Sequence, residues 1–316
     1  MKKIIDFQVF DTVDGNFAVK FKKPLKKYSK GFMFELRIGD SSGEIMLKVW
    51  GPDDEDSVKK IYDSISADDV IHVLGEVSEY RDVKELALND LSAIRVLSPV
   101  EYVKGDFVKE SEREIEEMFS ELEEVISSVK DPDLAKVLGV LFSDEELVKA
   151  FKYSPAALYK HHAWIGGLLE HTLSVIRICE NALNIYPDLN RDLVITGALI
   201  HDIGKTREFS VKTNIKPTLE CRLVGHVVMG VEILHNKIVD LDISDKLKVK
   251  LKHIVESHHG KLEWGSPKTP AFPEALLIHH ADYLDASLTY ITERKKEAKT
   301  DDDFTYLKDF GSIYLK

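Results

Sequence analysis

Cysteine is nearly absent: Cys179 and Cys221 are the only two in 316 residues, far apart and in no CxxC pair. That excludes a disulfide framework and a thiolate zinc cluster, and points to a reducing, cytoplasmic compartment. Long apolar runs are missing too. No stretch approaches the roughly 20 residues of a membrane span, and the basic start MKKIIDFQVF is interrupted at Asp6, so neither a targeting nor a transmembrane segment is expected. Internal repeats and low-complexity tracts are lacking as well. Net positive charge is lacking, at −12 overall, but the deficit is local. Residues 101–150 carry 15 acidic and 6 basic side chains, whereas 151–316 balance at 22 of each, so the overall acidity does not exclude a nucleic-acid partner.

What is present begins with β patterning. The run FMFELRIGDSSGEIMLKVW, from Phe32 to Trp50, reads as a hairpin about the turn Gly39–Gly43. A second pair, VIHVLGEVSEY and KELALNDLSAIRVL, turns at Tyr80-Arg81-Asp82, and Gly75 is expected to form a bulge that bends its strand. A short helix over Asp54–Ile65 lies between the pairs. Strand, hairpin, helix and hairpin within about 100 residues match a small five-stranded barrel and resemble an OB-fold. Residues 1–100 are therefore expected to be an OB-fold nucleic-acid-binding domain.

Pro99 and Gly105 mark a boundary. Beyond it, Ile115, Phe119, Leu122, Val125 and Ile126 recur at helical spacing with an acidic outer face. Residues 101–150 read as an acidic helical linker, placed to pack on its own domain or on another subunit of a homo-oligomer. From 151 to 295 the chain reads as helices throughout, broken at Pro187, Pro217, Pro270 and Pro273. The tail, 296–316, is too polar to assign. The expected architecture is thus multidomain α and β, an OB-fold barrel followed by an all-α domain.

Within the helical half, LIHDIGK sets a histidine, an aspartate and a lysine in an apolar run. Buried ionisable groups are costly unless paired or metal-bound, so the segment is either a metal site or a salt-bridged structural element. Further candidates sit on other apolar helices: His171 in GGLLEHTLSVIRIC, His226 in GHVVMGVEILH, His258 and His259 in KHIVESHHG, and Asp282 in LLIHHADYLDA. Any one of them alone reads as a hydrogen-bonded core residue. Together they form a set of imidazoles and carboxylates that suits Mn²⁺, Fe, Co, Ni or Zn²⁺.

The order H171…H201-D202…H226…H258-H259…D282 resembles the HD-domain metal-dependent phosphohydrolase superfamily. The resemblance implies one ion on His171, His201, Asp202 and Asp282. It implies a second on Asp202, His226 and His258, with His259 a further ligand. Gly167 stands where three-metal members place a glutamate, so two ions are expected, Mn²⁺ first. Lys205 matches the lysine of the HDxGK motif. On a continuous helix it lies one turn beyond His201 on the same face, placed to meet a phosphate or the attacking water. The alternative is a simple pair with a carboxylate. Gly204 inside such a helix suggests a close approach of backbone, metal or substrate. Glu170 is expected to point away from the site. His162, in YSPAALYKHHAWIGGLLEHT, either donates a proton or binds phosphate at the entrance, or only caps a helix.

A second signal is VKFKKPLKKYSKGF, with Lys20, Lys22, Lys23, Lys26, Lys27 and Lys30 interleaved with Phe21 and Tyr28. Lysines attract the phosphate backbone and aromatic faces stack bases, the combination that single-strand sites use. The plainer reading is a solvated lysine loop whose aromatics are core.

An OB-like domain, a linker helix and an HD domain together resemble the YhaM family of 3′–5′ exoribonucleases, over roughly residues 5–295. The family implies hydrolysis of single-stranded RNA from its 3′ end by a two-metal-activated water, with single-stranded DNA a second candidate. Two alternatives remain. One is an HD-type nucleotidase or cyclic-nucleotide phosphodiesterase with a regulatory OB domain, and the other a non-catalytic nucleic-acid-binding adaptor.

Overall fold

The computed structural model describes residues 2–81, 83–297 and 302–315; Asp82 of the expected turn and 298–301 and 316 of the tail lie outside them. Two compact units emerge. The first comprises residues 1–110 with 211–215, the second 111–210 with 216–316.

In the first unit the strands are β1 (Thr12–Lys22), β2 (Lys26–Tyr28), β3 (Gly31–Asp40) and β4 (Gly43–Trp50), followed by helix α1 (Glu55–Ser64). Then come β5 (Val70–Tyr80), β6 (Val83–Leu88) and β7 (Ile94–Val96). β1 pairs with both β3 and β5, β3 with β4, β5 with β6, and β4 runs parallel to β6. This is the OB-fold arrangement. The β3–β4 turn is set by Asp40, whose Oδ1 accepts from the amides of Ser42 and Gly43 at 2.7 and 3.1 Å. Alternation sends Val13, Phe17, Phe34, Leu36, Ile38, Leu47 and Val49 into one core. The Asp54 carboxylate caps α1 at Ser57. KELALNDLSAIRVL does not run as one strand. Asp90 accepts from the Ser92 amide at 2.8 Å and breaks it into β6 and β7. Nor does Gly75 form a bulge: its pairing with Val13 is regular, and the register shift lies in β1 between Val19 and Phe21. Gly75 serves close approach instead, since a Cβ there would stand 2.9 Å from the Ala87 carbonyl oxygen.

The second unit begins with α2 (Ile115–Ser127), α3 (Pro132–Phe142) and α4 (Glu145–Tyr153). Met118, Leu122, Leu134, Leu138, Leu141 and Phe151 join the same core as the helices that follow, so residues 111–150 pack within this unit. Those helices are α5 (Gly167–Leu183), α6 (Arg191–Ile200), α7 (Leu219–Leu223), α8 (His226–Ile238), α9 (Asp245–Ser257) and α10 (Pro273–Glu297). Starts are marked by side-chain caps at Asp131, Asp144, Asn190 and Ser244. Leu168, Leu169 and Leu173 on α5 are fully or almost fully buried, each contributing about 1.5–3 kcal/mol relative to exposure. Gly197 lets α6 and α10 meet, because a Cβ there would lie 2.4 Å from Ile278 Cδ1.

The HD region is helical, as expected, and two short hairpins accompany the helices: β8–β9 (Phe209–Val211, Ile215–Pro217), of which residues 211–215 count with the first unit, and β10–β11 (Phe304–Leu307, Gly311–Tyr314), formed by the polar tail that the sequence left unassigned. Alternation in FTYL and GSIY about the turn at Gly311 (φ 73°) explains the second. Among the described residues, no helix is long and apolar enough to cross a membrane.

Candidate metal centre

Four elements converge on one aspartate. Helix α6 ends at Ile200, His201 caps it, and Asp202 has left helical geometry at φ −108°, ψ 14° before a 3₁₀ turn over Ile203–Arg207. The continuous helix expected through LIHDIGK is therefore broken at the aspartate. Lys205 instead returns to Asp202 across that turn, with Nζ 2.6 Å from Oδ2. Gly204 explains the break. A Cβ on it would fall 1.9 Å from the His226 carbonyl oxygen, so only glycine lets α8 approach this closely.

Asp202 is 1% exposed, and its two oxygens face different imidazoles. Oδ2 lies 3.5 Å from Nε2 of both His171 and His201. Oδ1 lies 3.3 Å from His258 Nε2 and 3.7 Å from His226 Nε2. Asp282 on α10 adds Oδ1 at 3.2 Å from His171 Nε2. His259 completes the second group, its Nε2 3.1 Å from that of His226. The chain thus gathers His171, His201, Asp202 and Asp282 in one cluster and His226, His258 and His259 in another.

In each of these imidazoles the other nitrogen is engaged. His201 Nδ1 meets the Ala198 carbonyl oxygen at 2.7 Å, His258 Nδ1 that of Val255 at 2.7 Å, and His259 Nδ1 that of Trp264 at 3.0 Å. His171 Nδ1 meets Asp285 at 2.7 Å and His226 Nδ1 meets Glu208 at 3.0 Å. With oxygen acceptors opposite every Nδ1, the proton belongs there and the Nε2 lone pairs point inward. His201 and His171 then face each other through Nε2 at 3.3 Å, as His226 and His259 do at 3.1 Å. Such lone pairs repel unless a proton or a metal cation stands among them. Asp202 Oδ1 and His258 Nε2 are moreover buried without a hydrogen-bond partner, the costly condition that a bound metal relieves. The donor set fits divalent cations.

Two family descriptions match this architecture: an OB-fold nucleic acid binding domain over residues 18–94 and an HD domain over 168–287. The 3′-5′ exoribonuclease YhaM of Listeria welshimeri is 33% identical over 300 residues, covering 94% of this chain and 92% of that one. Its counterpart in Bacillus subtilis is 31% identical with the same coverage. That in Shouchella clausii is 34% identical over 91% of this chain and 87% of the other.

The chain belongs to the YhaM family of 3′-5′ exoribonucleases. It is accordingly an enzyme, a hydrolytic nuclease, and its HD domain implies dependence on divalent metal.

Burial and neighbouring charge set the protonation of the clustered groups in this YhaM-family chain. Burial works against charge on His171, but the hydrogen bonds and charges of Asp282 and Asp285 outweigh it and raise its pKa to about 9. That proton occupies the place an ion would take. Burial lowers His258, and burial with the neighbouring His258 and His226 brings His259 down to about 3. Burial alone would raise Asp202, yet Lys205 and His201 hold it well below the ordinary carboxylate range. In return Asp202 raises Lys205 despite burial.

His162 is not at the cavity. Buried, with φ 47°, it places Nε2 3.0 Å from Asp285 and lies behind His171. The imidazole that lines the cavity with Lys205 and Asp282 is its neighbour His161. Gly167 is required here, since a Cβ would stand 2.0 Å from the His162 carbonyl oxygen. Glu170 turns to Trp164 Nε1 and Ser111 Oγ, each at 2.8 Å. Sequence reasoning set the pair His161 and His162 at the entrance but gave the role to His162, and it missed Asp285 and Glu208. Asp285 carried a usable signal, lying one helical turn beyond Asp282.

The lysine segment divides. Lys20 Nζ donates to the carbonyl oxygens of Phe107 and Thr213, and Lys22 Nζ to those of Tyr62 and Ile65. Lys23 pairs with Glu35. Tyr28 donates to the Gly51 carbonyl and packs edge-on to Trp50. Phe21, Lys26, Lys27 and Lys30 remain exposed, Lys27 with Asp53 at 3.5 Å.

Proposed function

We propose that the chain hydrolyses single-stranded RNA stepwise from its 3′ end at a centre for two divalent cations, with single-stranded DNA open to the same chemistry. The observation that carries the reading is the commitment of every Nδ1 to an oxygen, which leaves the Nε2 atoms convergent about both oxygens of Asp202. On this reading His171, His201, Asp202 and Asp282 hold one ion, while Asp202, His226 and His258 hold the other with help from His259. Imidazole with carboxylate suits Mn²⁺ as well as Fe, Co, Ni or Zn²⁺, and Mn²⁺ is the choice proposed here. Such ions supply Lewis acidity and a water acidic enough to attack at neutral pH.

The chain's own groups do the rest. Lys205, charged and lining the cavity, neutralises developing charge on the phosphoryl oxygens. His161 faces the same space and contacts the phosphate, the part first expected of His162. Asp285 and Glu208 orient His171 and His226. In the OB unit, whose pairing of β1 with both β3 and β5 we take to close a barrel, Lys26, Lys27, Lys30 and Phe21 grip the upstream strand. We assign residues 1–110 to that task and the HD unit to hydrolysis.

A 5′-labelled single-stranded RNA incubated with Mn²⁺ tests the reading. It predicts a ladder shortening from the 3′ end, abolished in Asp202→Ala. Intact RNA alongside hydrolysis of a cyclic or free mononucleotide would replace it with the small-molecule alternative.

A further inference from the structure

One wall of the cavity is unused by the chemistry above. Trp264 and Tyr283 lie face to face, ring centroids 5.2 Å apart and planes 14° from parallel. Both line the cavity of about 470 Å³ that also holds Asp282 and Lys205. They are 40% and 45% exposed, whereas large aromatics usually bury such faces. Lys261 Nζ stands 4.2 Å from the Trp264 ring centroid. Along α10 the small side chains of Ala286 and Ser287 line the stretch between Tyr283 and Tyr290, tyrosines separated by about 10 Å of helix rise. Phe310, from the β10–β11 turn, meets Tyr290 at 6.2 Å between centroids, and the neighbouring Asp309 is ion-paired with Lys160. An aromatic platform therefore begins one residue from Asp282, has a low floor, and ends against the C-terminal hairpin.

We infer that this wall is a stacking slot for the 3′-terminal nucleotide. Its base stacks on the Tyr283 face turned away from Trp264, which backs that ring, while its phosphate meets Lys205, and the hairpin bounds the slot at Tyr290 and Phe310. The inference rests on the exoribonuclease reading. Every base has a π-face, so stacking grips an end without reading its sequence. The slot also gives the polar tail a task, as the wall against which the last nucleotide stops.

Two measurements test it. The first titrates adenosine monophosphate into the full-length protein and follows tryptophan fluorescence. Quenching is expected in the native chain and should be largely lost in Trp264→Phe, which keeps Trp50 and Trp164. The second compares KM for a single-stranded RNA with an ordinary 3′-terminal nucleotide and for the same RNA with an abasic one. The native enzyme is expected to discriminate five- to 150-fold, about 1–3 kcal/mol. Trp264→Ala and Tyr283→Ala should raise KM for the ordinary RNA and erase the discrimination, and Trp264→Phe should restore most of it. Equal KM for the two ends in the native enzyme, or quenching that survives in Trp264→Phe, would overturn the slot while leaving the exoribonuclease reading intact. Trp264-dependent quenching in a protein that leaves RNA uncut would keep the slot and defeat that reading.

Discussion

Asp285 Oδ2 lies 2.7 Å from Nδ1 of His171 and 3.0 Å from Nε2 of His162, holding both rings from the side opposite Asp202. A carboxylate in this position fixes the tautomer of a ligand and raises its basicity. Asp285→Asn keeps the shape and removes the charge, so Mn²⁺ affinity should fall about 10- to 100-fold with the fold intact. Calorimetric titration, with circular dichroism as the control for folding, reads the effect.

Two glycines should respond in opposite directions. Gly204→Ala places a methyl 1.9 Å from the His226 carbonyl oxygen and 2.6 Å from the Gly230 nitrogen, so it must displace the start of α8. Destabilisation of about 1–3 kcal/mol with loss of metal binding is expected. Gly139, exposed in α3, has nothing within 4 Å of an added Cβ. Gly139→Ala should stabilise by about 0.5–1 kcal/mol in chemical denaturation.

Acid sensitivity should trace in part to Glu170. Burial pushes its carboxyl up, but the His162 imidazole 3.8 Å away and hydrogen bonds from Trp164 and Ser111 outweigh burial and bring it from 4.5 to about 2. A depressed carboxylate stabilises the fold above its unfolded pKa, and that contribution is lost as pH falls from 4.5 toward 2. Glu170→Gln should be less stable at pH 7 and show a shallower decline through that window. Urea denaturation at half-unit pH steps measures both.

The lysines should separate by role. Triple replacement of Lys26, Lys27 and Lys30 by alanine should weaken long-RNA binding and reduce the slope of log K against log salt by about 2, at roughly 0.7 per phosphate contact. Lys22→Ala should leave that slope unchanged. It strands the Ile65 carbonyl, leaves that of Tyr62 with the Ile65 amide alone, and should cost about 1–3 kcal/mol of stability.

These contrasts show where sequence reasoning reaches and where it stops. The hairpin of β3 and β4, the short helix after Asp54 and the apolar faces of the ligand helices were legible because alternation and helical period are local. His171, His201, Asp202, His226, His258, His259 and Asp282 stood out because imidazoles and carboxylates are rare among apolar neighbours, and the structure brings them together. His161 and His162 could not be told apart, since they lie in no helix or strand whose period would assign a side to each ring. Lys20 and Lys22 looked like their exposed neighbours because their carbonyl partners, Phe107, Thr213, Tyr62 and Ile65, are distant in the chain. The break at Asp202 depends on the approach of α8, which only Gly204 hinted at.

The most direct test of the central claim is a count of ions. Protein stripped of metal, saturated with Mn²⁺ and freed of excess should hold two per chain by elemental analysis, falling to one in His226→Ala and to none retained in Asp202→Ala. One ion in the native chain, unchanged in His226→Ala, would contradict a centre bridged by Asp202.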